Sequence, residues 1–240
     1  MARDIKMPMD LLYRDQYGFF DDFPWYISPH LWTALAADAG ITAPAILTTL
    51  PGGWLTMGSG VTANNEVDIY TTNTLFLVAN NRPLLGEARI QYAEAATNQA
   101  NVCFGFADST NFSDILVDAG AGPRTSGNQV LIYKVAGGTV WRAQARNGTA
   151  FTDSVSSTTA GGTNPQTLRI EVKDMSTTQA TVYYTVDGVP LRDATSGLVI
   201  NHQLNIASSA LLRLGLYLKG GTTTAETLTA DYLCGYQTRV

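Results

Sequence analysis

Charged side chains are scarce in this sequence: they make up 15% of its 240 residues, against roughly 25% in an average soluble domain. The formal net charge is −5. A sequence-independent grip on phosphates needs clustered Lys and Arg, so this balance excludes nucleic acid as a partner. Long apolar runs are missing as well. The roughly 18 uninterrupted apolar residues of a membrane-spanning helix occur nowhere, and no membrane partner is expected. Met1 to Tyr13 carries Arg3, Asp4, Lys6 and Asp10. It lacks the apolar core of about seven residues that a signal peptide requires, so export by that route is not expected.

Histidine and cysteine are rarer still, with two of each. They are scattered without the paired ligand spacing of a zinc site. His30 in Ser28-Pro-His-Leu-Trp and His202 in Ile200-Asn-His-Gln-Leu stand beside no Gly-x-Ser-x-Gly elbow. Both read as surface or hydrogen-bonded structural histidines. Cys103 and Cys234 each lie inside a strand-like run and read as buried free thiols rather than a disulfide. Asp21, Asp22, Asp108, Asp114 and Asp118 offer hard oxygens near loops, but no EF-hand spacing joins them, and they read as solvated loop acids. The glycines of Gly120-Ala-Gly-Pro and Ala136-Gly-Gly-Thr fall between strands, not at the strand-to-helix junction that cradles phosphate. No metal or cofactor is implied.

What the sequence does have is aromatic side chains at its start and β-branched runs after it. Eight of its 23 aromatics, among them Tyr13, Tyr17, Phe19, Phe20, Trp25 and Tyr26, precede Thr33. Pro8, Pro24 and Pro29 rule out a long helix there, although Asp10 suits the cap of a short one through Leu11 to Tyr13. Residues 1–30 therefore read as an aromatic N-terminal arm whose apolar area must be buried on its own body or on a neighbour. Its named aromatics are candidate contacts with a capsid or with another subunit.

Residues 31–240 read as one sandwich domain, a length that all-β folds commonly form as a single unit. Strands are expected at Thr33–Ala37, Ala45–Leu50, Trp54–Gly58, Glu66–Thr71, Thr74–Ala79, Leu85–Glu94 and Asn101–Ala107, then at Gln129–Val135, Thr139–Arg146, Gln166–Lys173, Gln179–Val186, Leu211–Leu218 and Ala225–Gln237. No amphipathic helical stretch separates them, so the connections are antiparallel hairpins rather than crossovers. Leu168, Ile170 and Val172 alternate with Arg169, Glu171 and Lys173 as in a strand with one wet face. Ala136 to Thr139 and the Asp187-Gly188 pair read as hairpin turns. Asn111 to Asn128, with three glycines and a proline, reads as a long loop.

The one segment with a catalytic look is Glu66-Val-Asp-Ile-Tyr-Thr, which partly resembles the Glu-x-Asp-x-x-Glu strand of laminarinase-like glycosidases. Glu66 stands where the nucleophile would, and Asp68 where its helper would. The acid/base position holds Thr71, or Tyr70 in the shorter variant, and neither protonates a leaving group as a carboxylic acid does. The segment is read as an alternating solvent-facing strand and the chain as not an enzyme. For a glycan, Trp54, Trp141, Tyr183 and Tyr217 are available aromatics that suit a core equally well.

From about Phe19 onward the order of segments resembles a concanavalin A-like jelly roll of the kind found in phage virion proteins. The likeness is carried by Phe19-Phe-Asp-Asp-Phe, Gly53-Trp-Leu-Thr, Leu84-Leu-Gly-Glu-Ala-Arg-Ile-Gln-Tyr, Asn101-Val-Cys-Phe-Gly-Phe-Ala-Asp, Gly137-Gly-Thr-Val-Trp, Gln166-Thr-Leu-Arg-Ile-Glu-Val and Tyr184-Thr-Val-Asp-Gly-Val-Pro-Leu. The resemblance implies an all-β, antiparallel jelly-roll sandwich with an N-terminal arm. It also implies a capsid decoration or cement protein, made in the host bacterial cytoplasm and carried on the capsid exterior. Its partners would be the major capsid protein and copies of itself in a homotrimer. The alternative within the same resemblance is a lectin-like glycan- or receptor-binding module of a tail fibre or spike.

Overall fold

The computed structural model describes residues 16–24, 30–36, 38–50, 52–108, 114–205 and 210–238. Tyr13, Trp25, Tyr26 and the short helix expected after Asp10 lie outside them. The chain begins with β1 (Gln16–Asp21), β2 (Trp32–Leu35), β3 (Thr42–Ile46), β4 (Leu55–Gly58), β5 (Glu66–Thr71) and the two-residue β6 (Phe76–Leu77). Two long strands follow, β7 (Leu84–Glu94) and β8 (Ala100–Ala107). Then comes a segment holding β9 (Leu116–Val117), one 3₁₀ turn (Asp118–Gly120) and β10 (Gly122–Pro123). The second half runs through β11 (Gln129–Lys134), β12 (Val140–Asn147), β13 (Ala150–Thr159), β14 (Gln166–Lys173), β15 (Gln179–Val186), β16 (Val189–Pro190) and β17 (Asn201–Asn205). It closes on β18 (Leu211–Gly220) and β19 (Glu226–Thr238).

These strands form two large antiparallel sheets. The nine-stranded sheet has the order β16-β15-β14-β7-β19-β4-β3, with β1 also on β19 and β17 also on β15. The eight-stranded sheet has the order β13-β12-β11-β8-β18-β5-β2, with β6 also on β18. Strands far apart in sequence sit side by side in both, β7 against β19 and β8 against β18, and β1 also pairs with β19. That is the pattern of a jelly roll, in which the last strands return to the first.

The inner faces supply the core. Leu168, Ile170 and Val172 of β14 face in, as their alternation predicts, and Val102, Phe104 and Phe106 of β8 join the same core from the other sheet. Two glycines opposite each other on β7 and β19, Gly86 and Gly235, make a dent for aromatic rings. A Cβ at Gly86 would stand 2.8 Å from the Phe106 ring, and one at Gly235 2.5 Å from the Phe76 ring. Those two rings pack edge to face at 5.1 Å, the arrangement aromatic quadrupoles favour. In β19 a register shift between Ala230 and Tyr232 moves the inward side chains from Leu228 and Ala230 to Leu233, as an extra residue in a strand must.

Every strand expected from the alternation overlaps an observed one, and the Asp187-Gly188 turn has both residues at positive φ, 53° and 77°. Three strands of five residues or more carry no such signal. β13 is rich in Ser and Thr and largely exposed, and β17 buries only His202 and Leu204. β1 pairs along the final stretch of β19, and its Phe19 turns inward to pack edge-on against Trp32 at 5.2 Å. Cys103 and Cys234 are free and buried.

Candidate functional site

The outer face of the eight-stranded sheet carries rows of polar and aromatic side chains. Residues directly opposite in antiparallel strands place their side chains on the same face, so the register aligns them in rows. One row is Asp68, Tyr217, Cys103, Tyr133 and Arg142. Beside it runs Tyr70, Gly215, Gly105, Leu131, Gln144 and Asp153. A third row is Arg213, Ala107, Gln129, Arg146 and Phe151. Two adjacent glycines lower the middle of the second row. A Cβ at Gly105 would come within 2.1 Å of the Val130 carbonyl oxygen, so that position admits only glycine.

One end of this face is covered. The segment Asp114 to Asn128, expected as a long loop, lies as a strap whose Ile115 and Leu116 are buried in an apolar cluster with Tyr133 and Tyr217. Lys219, itself buried, donates from Nζ to the Leu116 carbonyl (3.0 Å) and to Asp118 (2.6 Å). Glu66 accepts from the Tyr217 hydroxyl at 2.5 Å and from the Asp114 backbone N–H. Asp68 is 0% exposed. Its Oδ1 accepts from the Leu35 N–H at 3.1 Å while its Oδ2 is buried without a partner. Burial pushes its carboxyl up to about 8 against the lowering effect of that N–H, so it carries a proton at neutral pH.

The other end is open only along the edge strand β13, and Gln129, Gln144 and Arg146 behind it are buried. Phe151 is 58% exposed and lies over the Arg146 guanidinium, 4.2 Å from ring centroid to Cζ. Arg142 pairs with Asp153 at 2.9 Å and stacks over Tyr133 at 5.5 Å, and the Tyr133 hydroxyl donates to Asp153 at 2.5 Å. Burial, then the Asp153 charge, push the Tyr133 phenol up, which keeps it a neutral donor. Arg124 pairs with Asp108 at 2.8 Å and donates to Gln129, which donates in turn to Gln144 at 2.6 Å. Planar guanidinium, carboxylate and amide groups beside an exposed ring suit hydroxyl-rich ligands: the polar groups fix orientation and the ring meets an apolar C–H face.

The structure separates the residues singled out from the sequence. Trp141 is a core residue bonded to Gln166, and Tyr217 lies under the strap. Trp54 is nearly buried beside Arg89, and Tyr183 is on the nine-stranded sheet, bonded to Asp174. None of the four is at the open end. Phe151, Arg142, Arg146 and Asp153 were not singled out, because β13 gave no strand signal and its register with β12 is what assembles them. His202 is inside the sandwich, bonded to Ser154 and Tyr184 at 3.0 and 3.1 Å, and burial lowers its imidazole to about 4. Asp108, Asp114 and Asp118 are partners of Arg124 and Lys219. Among the described residues no group of three or more His, Cys, Asp or Glu could hold a metal. Of the arm contacts, Tyr17 bonds to Gln237 and stacks on Phe76, Phe19 faces the core, and Phe20 is 41% exposed and stacked on Tyr232.

No protein-family model and no curated protein sequence matches this chain. Solved structures do. The carbohydrate recognition domain of Emp47p is 13% identical with a TM-score of 0.57, covering 93% of this chain and 96% of that one. An endo-β-1,4-glucuronan lyase from Trichoderma reesei is 10% identical with a TM-score of 0.58, covering 90% and 94%. A Bacteroides ovatus glycoside hydrolase of family GH16, solved with a glucan product, is 11% identical with a TM-score of 0.52, covering 90% and 98%. At such identities the likeness shows the fold, a concanavalin A-like, legume-lectin-like jelly roll.

Two sequence expectations are corrected here. That the chain is not an enzyme does not stand, because the same sandwich carries a glycoside hydrolase and a glucuronan lyase. Nor are Glu66 and Asp68 solvent-facing. They share the outer face of β5 with Tyr70, but they are buried, while Thr71 points to the opposite side and bonds to the Leu214 N–H.

Proposed function

We propose that this chain is a glycan-recognising module that takes a saccharide on the outer face of the eight-stranded sheet, at the end open along the edge strand β13. One observation carries the reading: Phe151, exposed on the edge strand, lies over Arg146 in the row beside Asp153, which pairs with Arg142. The lectin-like fold supports it at the coarser level. Titration calorimetry of the chain against soluble oligosaccharides tests it. A binder found there is expected to lose about tenfold in affinity, roughly 1.4 kcal/mol, on Phe151→Ala. The melting transition should change by less than about 1 kcal/mol, the scale of one exposed cation–π contact. Unchanged affinity in that variant would move the site elsewhere.

For the setting of this module we propose a virion surface, as a tail-fibre or capsid-exterior protein with the major capsid protein and further copies of the chain as partners. The segment resemblance supports it, together with Phe20, whose exposed ring on Tyr232 offers an apolar contact on the other face of the sandwich. Copy number per particle separates the two, hundreds for a capsid position and about a dozen for a tail.

A further inference from the structure

Of the arginines on this outer face, Arg124 is neutralised by Asp108 and Arg142 by Asp153. Arg146 is 3% exposed and has no carboxylate partner among the described residues. Its Nη1 donates to the carbonyls of Thr125 at 2.9 Å and Gly148 at 3.3 Å. Its Nε is buried with no acceptor, and no hydrogen bond to a described residue uses its Nη2. Nε and Nη2 are the two parallel donors on one edge of the guanidinium, the edge that receives a carboxylate with two hydrogen bonds.

A desolvated charge without a partner is unfavourable by several kcal/mol in general, so an Arg held this way fits a site completed by something outside the chain. Arg213, in the same cross-strand row, repeats the pattern. Its Nη1 donates to the carbonyls of Thr71 and Thr72, its Nε is buried without an acceptor, and its guanidinium lies over Tyr70. Three strand spacings separate the two along the row, about 14 Å between backbones. The chain as a whole is acidic, at −5. An uncompensated positive end on one face is therefore a local feature and not a reflection of composition.

Resting on the glycan reading above, we propose that the saccharide taken here is acidic, with a carboxylate or sulfate oxyanion received on the Nε–Nη2 edge of Arg146 beside Phe151. The Phe151 ring, 58% exposed, lies over that guanidinium. A longer acidic chain crossing the sheet toward Arg213 meets a second edge of the same kind.

The test titrates the full chain with β-1,4-linked tri-glucuronate, a sulfated cellotriose, neutral cellotriose and inorganic sulfate. Alongside, the arginine Nε–H signals are followed by NMR, with that of Arg146 assigned in the wild type through its own side-chain and backbone resonances. An acidic trisaccharide is expected to bind at least roughly tenfold tighter than the neutral one, the worth of a charge-assisted contact, and to shift the Arg146 Nε–H signal. Arg146→Gln should abolish the preference, and Arg146→Lys should restore only part of it, because Lys keeps the charge and lacks the fork. The wild-type NMR shift decides the matter even if the variants lose stability. Equal binding of acidic and neutral trisaccharides overturns the acidic inference and leaves the glycan reading standing. Binding of inorganic sulfate as tightly as of either acidic sugar overturns the saccharide component. Failure of every saccharide to bind overturns both.

Discussion

Asp68 carries a proton where its neighbours in sequence suggest a charge, and the consequence is a defined pH dependence. Its carboxyl is held up to about 8 from an ordinary 3.8 by burial. Between those values the folded chain therefore binds more protons than the unfolded chain, and stability falls as pH rises. His202 acts in the opposite sense. Burial holds its imidazole down to about 4 from 6.5, so the unfolded chain binds more protons in that window and stability is lost as pH falls through it. The two offset each other between pH 4 and 6.5, and from pH 6.5 to 8 Asp68 acts alone, worth about 2 kcal/mol over that interval. Asp68→Asn keeps an acceptor for the Leu35 N–H and cannot ionise. Urea unfolding is expected to show the variant's stability level from pH 6.5 to 8, and the variant more stable than the wild type at pH 8. The same downward slope in both proteins would show that Asp68 is not the group responsible. The Glu66-Val-Asp-Ile alternation was legible as a strand, but its environment was not. Polar residues every second position say which face they share, and nothing in them says that a strap 48 residues away, at Asp114, will close over that face.

At the scale of elements, legibility followed burial. β14, with its inward Leu168, Ile170 and Val172, was readable because one face is wet and the other dry. β13 was not, because its role is to edge the sheet and present Phe151, Asp153 and Val155 outward, which leaves no apolar period to detect. The site's residues on β12 were inside an expected strand, but only the β12–β13 register brings Arg146 to Phe151 and Arg142 to the side of Asp153. The sheet-to-sheet packing depends on residues that look like breaks in a strand. Gly86 and Gly235 face each other where Phe106 and Phe76 enter from the other sheet, so a methyl group at either meets a packed ring. Gly235→Ala is expected to lower stability by about 1–3 kcal/mol, as overpacking does, in a thermal melt with unchanged far-ultraviolet circular dichroism. A neutral or stabilising effect would mean that the rings can withdraw and that the dent does not set the spacing of the sheets.

For the molecule as a whole, the long pairings of β7 with β19 and β8 with β18 fix the sandwich, and the sandwich leaves two outer faces with different equipment. That of the nine-stranded sheet is laced by ion pairs among Arg169, Glu87, Glu171 and Lys173, charges that satisfy one another. That of the eight-stranded sheet ends in an exposed ring and a guanidinium edge with no acceptor among the described residues. A saccharide bound by this chain is expected at this second face. Hydrogen–deuterium exchange with and without a bound acidic oligosaccharide addresses it most directly. Protection is expected to be confined to the strap, Asp114 to Asn128, and to β12 and β13, Val140 to Thr159. Protection centred instead on the nine-stranded sheet around Phe20 and Tyr232, with β12 and β13 unchanged, would contradict it.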